Sequence, residues 1–260
     1  MNKKFITFMF MAFLLLESRA SADLNENSGG GIKSTPECFE KVSRATFAFN
    51  QALDNIIFEP VSKAYRILPV PIRMGSSNML SNIGHLLTIP NNILQGDFGA
   101  ASINTIRFVL NTTIGILGIF DPAEGMGLSY AGKEDYGQTL GAWGMGSGCY
   151  FVLPVLGPTT VRDVTGTAAS FLGGDPWYNI SSKNDTQYFK DSDYFISRTM
   201  SGIDFRSKNI ESFDSLEKNS VDFYASIKSL YIQDRENKIR NTKSKIETQD
   251  DSDWDEIENQ

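Results

Sequence analysis

The stretch from Asp135 to Pro158, DYGQTLGAWGMGSGCYFVLPVLGP, constrains this chain more than any other part of it. It is apolar, aromatic and dense in glycine, and no continuous apolar run in it is long enough to span a bilayer. Ten of the chain's 22 glycines fall between Gly115 and Gly148. Glycine weakens helices and strands, and it supplies positive φ or close backbone approach. A segment both oily and glycine-rich suits a tightly packed irregular backbone, wrapped around something or buried against lipid.

The N-terminus reads as a targeting segment. Lys3 and Lys4 precede twelve apolar or small residues, Phe5 to Leu16, and a polar stretch ends in Ala20-Ser21-Ala22. This is the pattern of a cleaved signal peptide over residues 1–22, implying export; an uncleaved signal anchor is the rival reading. Twelve residues fall short of the roughly 20 that a membrane helix needs. No later run approaches that length, so any membrane contact is made by elements lying in or against the bilayer. The formal charge of −7 excludes a nucleic-acid binder that relies on a basic face. Six acids and no base lie between Gln249 and Gln260, so residues 241–260 read as an acidic, solvated, disordered tail. Residues 23–35, DLNENSGGGIKST, read as a flexible linker.

Between them, residues 36–240 carry helical periodicity and no sustained alternation of period two. Val42, Ala45, Phe49, Leu53 and Ile56 share one face, with a kink or end at Pro60. Met79, Leu80, Ile83, Leu86 and Leu87 mark a second helix starting at Pro71 or Ile72, which Pro90-Asn91-Asn92 should end or bend. A third runs from about Phe98 to Asn111. A broken helix is expected within 137–148 and a further one over 160–171. Others are expected over 192–200, over 204–213 and from Leu216 to Ile239. The expected fold is mainly α, with no significant sheet.

Chemistry-bearing motifs are scarce. The one histidine, His85, sits within the Met79–Leu87 stripe and reads as a packed residue. A single His excludes His-x-x-x-His metal pairs. Gly144-Met145-Gly146-Ser147-Gly148 has the wrong register for a nucleophile elbow and lacks the sixth glycine of a dinucleotide fingerprint. The chain reads as a non-enzyme with no catalytic, metal or cofactor site; a hydrolase using Ser147 and Asp163 is the remote alternative. Cys38 and Cys149 can pair in an oxidising compartment or remain free and buried. Cys38 is preceded by Ser34-Thr35-Pro36-Glu37, which is no lipid-attachment context. Gly141, Gly144 and Gly148 are spaced either for close helix contact or as loop glycines. Asn50 and Asp54 lie one helical turn apart, on one face of a helix. Gln138 and Thr139 are placed to cap a helix. Arg162 and Asp163 read as a local ion pair.

Several blocks, in order, resemble the MlaA (VacJ) family. They are Phe47-Ala48-Phe49-Asn50-Gln51-Ala52-Leu53-Asp54 with Glu59-Pro60-Val61; Asn104, Arg107-Phe108 and Asn111 to Gly118 with Phe120-Asp121; Tyr136 to Gly141 with Trp143-Gly144, Tyr150 to Pro154 and Arg162-Asp163; and Ser220 to Ala225 with Tyr231-Ile232-Gln233 and Arg235. The likeness covers about Cys38 to Ile239. It implies a ring of amphipathic helices lying in the plane of the inner leaflet of the Gram-negative outer membrane, around a central channel. It further implies removal of mislocalised phospholipid from the outer leaflet and its handover to a periplasmic carrier, in many members beside a trimeric porin. On that reading the candidate channel-lining or ring-fixing residues are Asn50, Asp54, Gln138, Thr139, Gly141, Gly144 and Gly148. Family members are commonly lipoproteins, whereas no cysteine stands near the A-x-A site here. The expected anchor is therefore the helical ring itself or a porin. A soluble periplasmic binding or scaffold protein is the second reading.

Overall fold

The computed structural model describes residues 35–183 and 189–258. The signal-peptide reading and all but the last residue of the linker fall outside the described residues. Helix α1 (Glu40–Leu53) passes through a widened turn, Asp54–Phe58, into α2 (Glu59–Ile67). In that turn the Glu59 N–H reaches back five residues to the Asp54 carbonyl. Pro60 explains the change of pitch: it lacks the N–H that would continue the ladder, and it is tolerated in the first turn of α2.

Helix α3 (Val70–Gln95) runs straight through Pro90 and stops at Gly96, whose φ of 81° provides the left-handed cap. The expected break at Pro90 does not occur. Pro90 removes the N–H that would bond the Leu86 carbonyl; side chains nearby add bonds to other carbonyls of the helix, Asn91 Nδ2 to that of Leu87 at 2.8 Å and Thr88 Oγ1 to that of Gly84 at 3.1 Å. Asp97 caps α4 (Phe98–Thr113), and a glycine-rich turn leads to the short α5 (Pro122–Gly125). Helix α6 (Tyr136–Ala142) is the expected broken helix, ending earlier than Gly148. Strands β1 (Tyr150–Leu153) and β2 (Gly157–Thr160) then form an antiparallel hairpin, Tyr150 opposite Thr160 and Leu153 opposite Gly157.

Thr160 caps α7 (Val161–Ala169), which widens over Ser170–Gly174 and gives way to α8 (Pro176–Tyr178), capped by Asp175. Helix α9 (Asp191–Lys208) runs through the break expected between 200 and 204, and α10 (Ile210–Asn219) and α11 (Phe223–Glu258) follow. The backbone of 241–258 continues α11, where a disordered tail was expected. No glycine or proline occurs after Gly202 to interrupt it. The fold is mainly helical, and this hairpin is its only sheet among the described residues.

The packing order closes on itself. Helix α1 packs on β1, β1 pairs with β2, and β2 packs on α7. Helix α7 leads through its widened end to α8, α8 contacts α9, and α9 packs on α2, which rejoins α1. The α3–α4 pair joins this circuit through α6, α8 and α9.

The distribution of polarity is inverted relative to a water-soluble domain. Among the described residues, ten hydrophobic side chains are buried against 23 polar or charged ones, while 36 large hydrophobic side chains are exposed. Helix α3 buries Asn82, His85, Thr88, Asn91, Asn92 and Gln95, and exposes Val70, Ile72, Met74, Met79, Ile93 and Leu94. Helix α4 buries Asn104, Arg107 and Asn111 and exposes Phe98, Ile106 and Val109. Buried polar groups persist only when hydrogen-bonded, and here they pair with one another. Asn82 donates to Thr112 at 2.9 Å and Asn104 to Asn92 at 2.9 Å. Monomeric soluble proteins rarely expose apolar surface on this scale. No described helix is long and apolar enough to cross a membrane.

Candidate functional site

An open cavity of about 310 Å³ lies between α1 with its widened turn, the β1–β2 connection, and the ends of α9, α10 and α11. Its wall is mostly apolar and aromatic: Phe47, Leu53, Phe58, Val155, Phe213, Phe223 and Ile227. Asn50, Gln51, Asp54, Asn55, Arg206 and Glu217 supply the polar part. The lining is amphipathic, mostly apolar with a few polar groups at defined points.

Two sequence-predicted residues line this cavity. Asn50 clamps the hairpin connection: its Nδ2 donates to the Leu153 carbonyl and its Oδ1 accepts from the Val155 N–H, both at 2.8 Å. Asp54 takes Arg206 with both oxygens, from Nε at 3.1 Å and Nη2 at 2.9 Å, and so ties the α1–α2 turn to α9. Arg206 is also 3.5 Å from Glu59.

The remaining candidates lie in the buried polar core or in its loops. Thr139, 1% exposed, donates to Asn91 at 2.6 Å and accepts from Gln95 at 3.0 Å, linking α6 to α3. Gln138 packs against the cap of its own helix, donating to Asp135 and to the Lys133 carbonyl. Gly141 is a contact glycine, since an added Cβ would stand 2.5 Å from Ile239 Cδ1. Gly144 and Gly148 are loop glycines with φ of 96° and 67°. The closest approach in this region is instead Gly137 against Gly166, where an added Cβ on Gly166 would strike the backbone of α6.

A three-element ionic cluster ties down α6, α7 and α11. Arg235 bonds both oxygens of Asp135, at 2.6 and 2.9 Å, and Asp163 at 2.6 Å; Asp163 also accepts from Thr160 and Tyr231. Burial alone would push the Asp135 carboxyl up. The Arg235 bonds and charge, with the Gln138 amide, outweigh it and hold the group at about 2. Arg162 and Asp163 were expected as a local pair. They stand 3.5 Å apart and are both buried, but Asp163's close ionic partner is Arg235, 72 residues away.

Cys38 and Cys149 form a disulfide. It lies beside a parallel bridge of Glu37 to Tyr150, and Glu37 in turn holds Tyr224 and, at 2.6 Å, Lys228 of α11. His85, 2% exposed, packs edge-on against Tyr130. Burial, aided by the Arg107 charge, lowers its pKa to about 4, so it is neutral in the folded protein. The Ser147 hydroxyl meets that of Thr35 at 3.3 Å. Among the described residues no three His, Cys, Asp or Glu side chains are grouped to hold a metal ion. Arg206 was not singled out from the sequence, and Arg235 only as part of a family-like block; their ionic partners Asp54 and Asp135 lie 152 and 100 residues away. The available signal was a lone arginine between Phe205 and Phe213 in one case and within an otherwise regular helix in the other.

Helices that turn polar side chains inward and apolar ones outward, and are too short in apolar length to cross a bilayer, define a class: proteins whose rim is covered by lipid while the middle is not. The chain belongs to the MlaA lipoprotein family, whose sequence profile matches residues 36–238. It is 32% identical to the intermembrane phospholipid transport system lipoprotein MlaA of Escherichia coli K12, over 80% of each chain. It is 25% identical to the protein of that name from Haemophilus influenzae, over 84% of this chain and 85% of the other. An uncharacterized Rickettsia bellii protein is 34% identical over 82% and 81%. A solved structure from work on the structural basis for maintenance of bacterial outer membrane lipid asymmetry superposes with a TM-score of 0.67. It is 31% identical and covers 78% of this chain and 98% of that one.

Proposed function

We propose that this protein is a phospholipid-transfer channel of the outer membrane. It sits in the inner leaflet, takes phospholipid mislocalised to the outer leaflet and passes it to a periplasmic carrier, beside a porin where one is its partner. The observation that carries the reading is the inverted polarity of the helices combined with an amphipathic cavity walled by α1, the hairpin connection and the ends of α9, α10 and α11. An exposed rim of 36 large apolar side chains is a liability for a soluble scaffold and an asset in lipid. Backbone at membrane depth must be satisfied internally or line a watery space, and the irregular turns around the cavity fit the second condition.

On this reading Asn50 and Asp54 hold the passage wall in shape. Gln138, Thr139 and Gly141 fix α6 within the ring, and Gly144 and Gly148 turn the backbone into the hairpin. The chain makes and breaks no bonds, and net movement is driven by partners. The rim itself anchors the protein, through apolar burial at about 25 cal/mol per Å². The test is deletion of the gene followed by labelling of outer-leaflet phospholipid with a membrane-impermeant amine reagent. Outer-leaflet phospholipid rises in the deletion strain and falls again on complementation; an unchanged leaflet refutes the proposal.

A further inference from the structure

We infer that the cavity selects zwitterionic phospholipids whose headgroup ends in a primary ammonium, with Arg206 reading the phosphate and Glu217 the ammonium. The inference rests on the cavity being the lipid passage. Three lining residues are charged: Asp54, Glu217 and Arg206. Asp54 occupies Nε and Nη2 of Arg206, with Glu59 3.5 Å away, and the buried Nη1 is left without a hydrogen-bond partner among the described residues. The Arg206 guanidinium lies 5.2 Å from the Phe213 ring centre, at the junction of the cation with the aromatic wall. That is where the phosphate of a lipid whose acyl chain lies along Phe47, Phe58 and Phe213 finds a donor. Charge-assisted contacts of guanidinium with phosphate are among the stronger hydrogen bonds in proteins.

Glu217 is exposed at the rim of the cavity. Its Oε1 accepts from Gln51 Nε2 at 2.5 Å, and no base pairs with it among the described residues. The lining therefore carries one uncompensated negative charge. Close by, Glu59 adds an acid that Lys63 matches at 2.5 Å, and Asp214 acts on Arg206 from α10. A headgroup with a net negative charge meets this excess as repulsion, whereas a terminal ammonium meets it as attraction. The chemistry thus favours ethanolamine-type over glycerol-type headgroups.

The experiment uses the full-length protein in non-ionic detergent. It is equilibrated with equimolar phosphatidylethanolamine and phosphatidylglycerol, and retained lipid is identified by native mass spectrometry. Wild type retains phosphatidylethanolamine in excess; Glu217→Gln lowers that preference about fivefold, the effect of losing one charge contact near 4 Å in water, and Glu217→Lys, which reverses the charge, lowers it further. Because Glu217 is exposed, these variants keep the fold. Equal retention of both lipids by wild type, unchanged in Glu217→Lys, overturns the headgroup assignment and leaves the passage intact. Retention that Leu53→Trp, which fills the cavity, does not reduce overturns the passage and this inference with it.

Discussion

Replacing both cysteines, Cys38→Ser with Cys149→Ser, isolates the contribution of the one covalent cross-link. The bond closes a sequence separation of 111 residues. Loop-closure entropy in the unfolded chain rises slowly with length, and a closure of this size contributes about 5 kcal/mol. The native contacts around it survive the substitution: the Tyr150 N–H still reaches the Pro36 carbonyl at 2.8 Å, and Glu37 still holds Lys228 at 2.6 Å. The loss therefore acts mainly through the unfolded state, and the folded structure and its lipid activity persist at low temperature. For a domain of this size 1 kcal/mol shifts Tm by about 2–4 °C, so thermal unfolding in detergent should shift down by roughly 10–20 °C. Wild type with a strong reductant should shift equally, and the double variant should not respond to it. A shift below about 3 °C, or an equal response of the variant to reductant, refutes the reasoning.

Three further outcomes follow from contacts described above. Gly166→Ala drives a Cβ into the backbone at Gly137, which cannot rotate away, and should cost about 1–3 kcal/mol in denaturant unfolding, whereas Gly125→Ala, with open space around it, should cost little. Arg235→Met leaves Asp135 without its cation and the buried Asp163 with only the longer contact to Arg162. It should destabilise by about 3–5 kcal/mol, with the added substitution Asp163→Asn recovering part of the loss. His85 sets a pH dependence. Its folded pKa of about 4 lies below the ordinary 6.5, so its contribution is complete above 6.5 and is lost as pH falls through about 4. The charges that act on it are those of Arg107, Asp121 and Lys133. Stability measured from pH 7 to 4 should fall less in His85→Gln than in wild type; parallel curves exclude the residue.

Much of the helical framework is legible in the residues. The stripes of α1, α3, α4 and α11 follow three- and four-residue spacing, and their polar counterpart is equally regular: His85, Thr88, Asn92 and Gln95 step along one face of α3. What the spacing does not reveal is which stripe faces inward, because periodicity is the same whether water or lipid surrounds the helix. The resemblance of the Phe47–Asp54 and Tyr136–Gly141 blocks to a known family supplied that orientation. Pro90 was misread because local propensity gave way to tertiary packing: α3 continues through it while packed against α4 and α6. A break was expected between 200 and 204, around Gly202, whereas α9 runs through Gly202 to Lys208 and the break falls at Asn209, before α10. Asn50 and Asp54 were singled out because they lie one helical turn apart. Their partners, the hairpin carbonyl of Leu153 and the guanidinium of Arg206, were not, since contacts over 100 or more residues leave no local trace.

Photoreactive phospholipid offers the most direct measurement. The purified protein is loaded with lipid carrying a diazirine on one acyl chain, irradiated, and mapped by peptide mass spectrometry. A lipid passage predicts adducts on cavity side chains such as Phe58 and Phe213, reduced in Leu53→Trp. Adducts confined to outward-facing residues such as Leu172 and Ile67, with the cavity unlabelled, would contradict it.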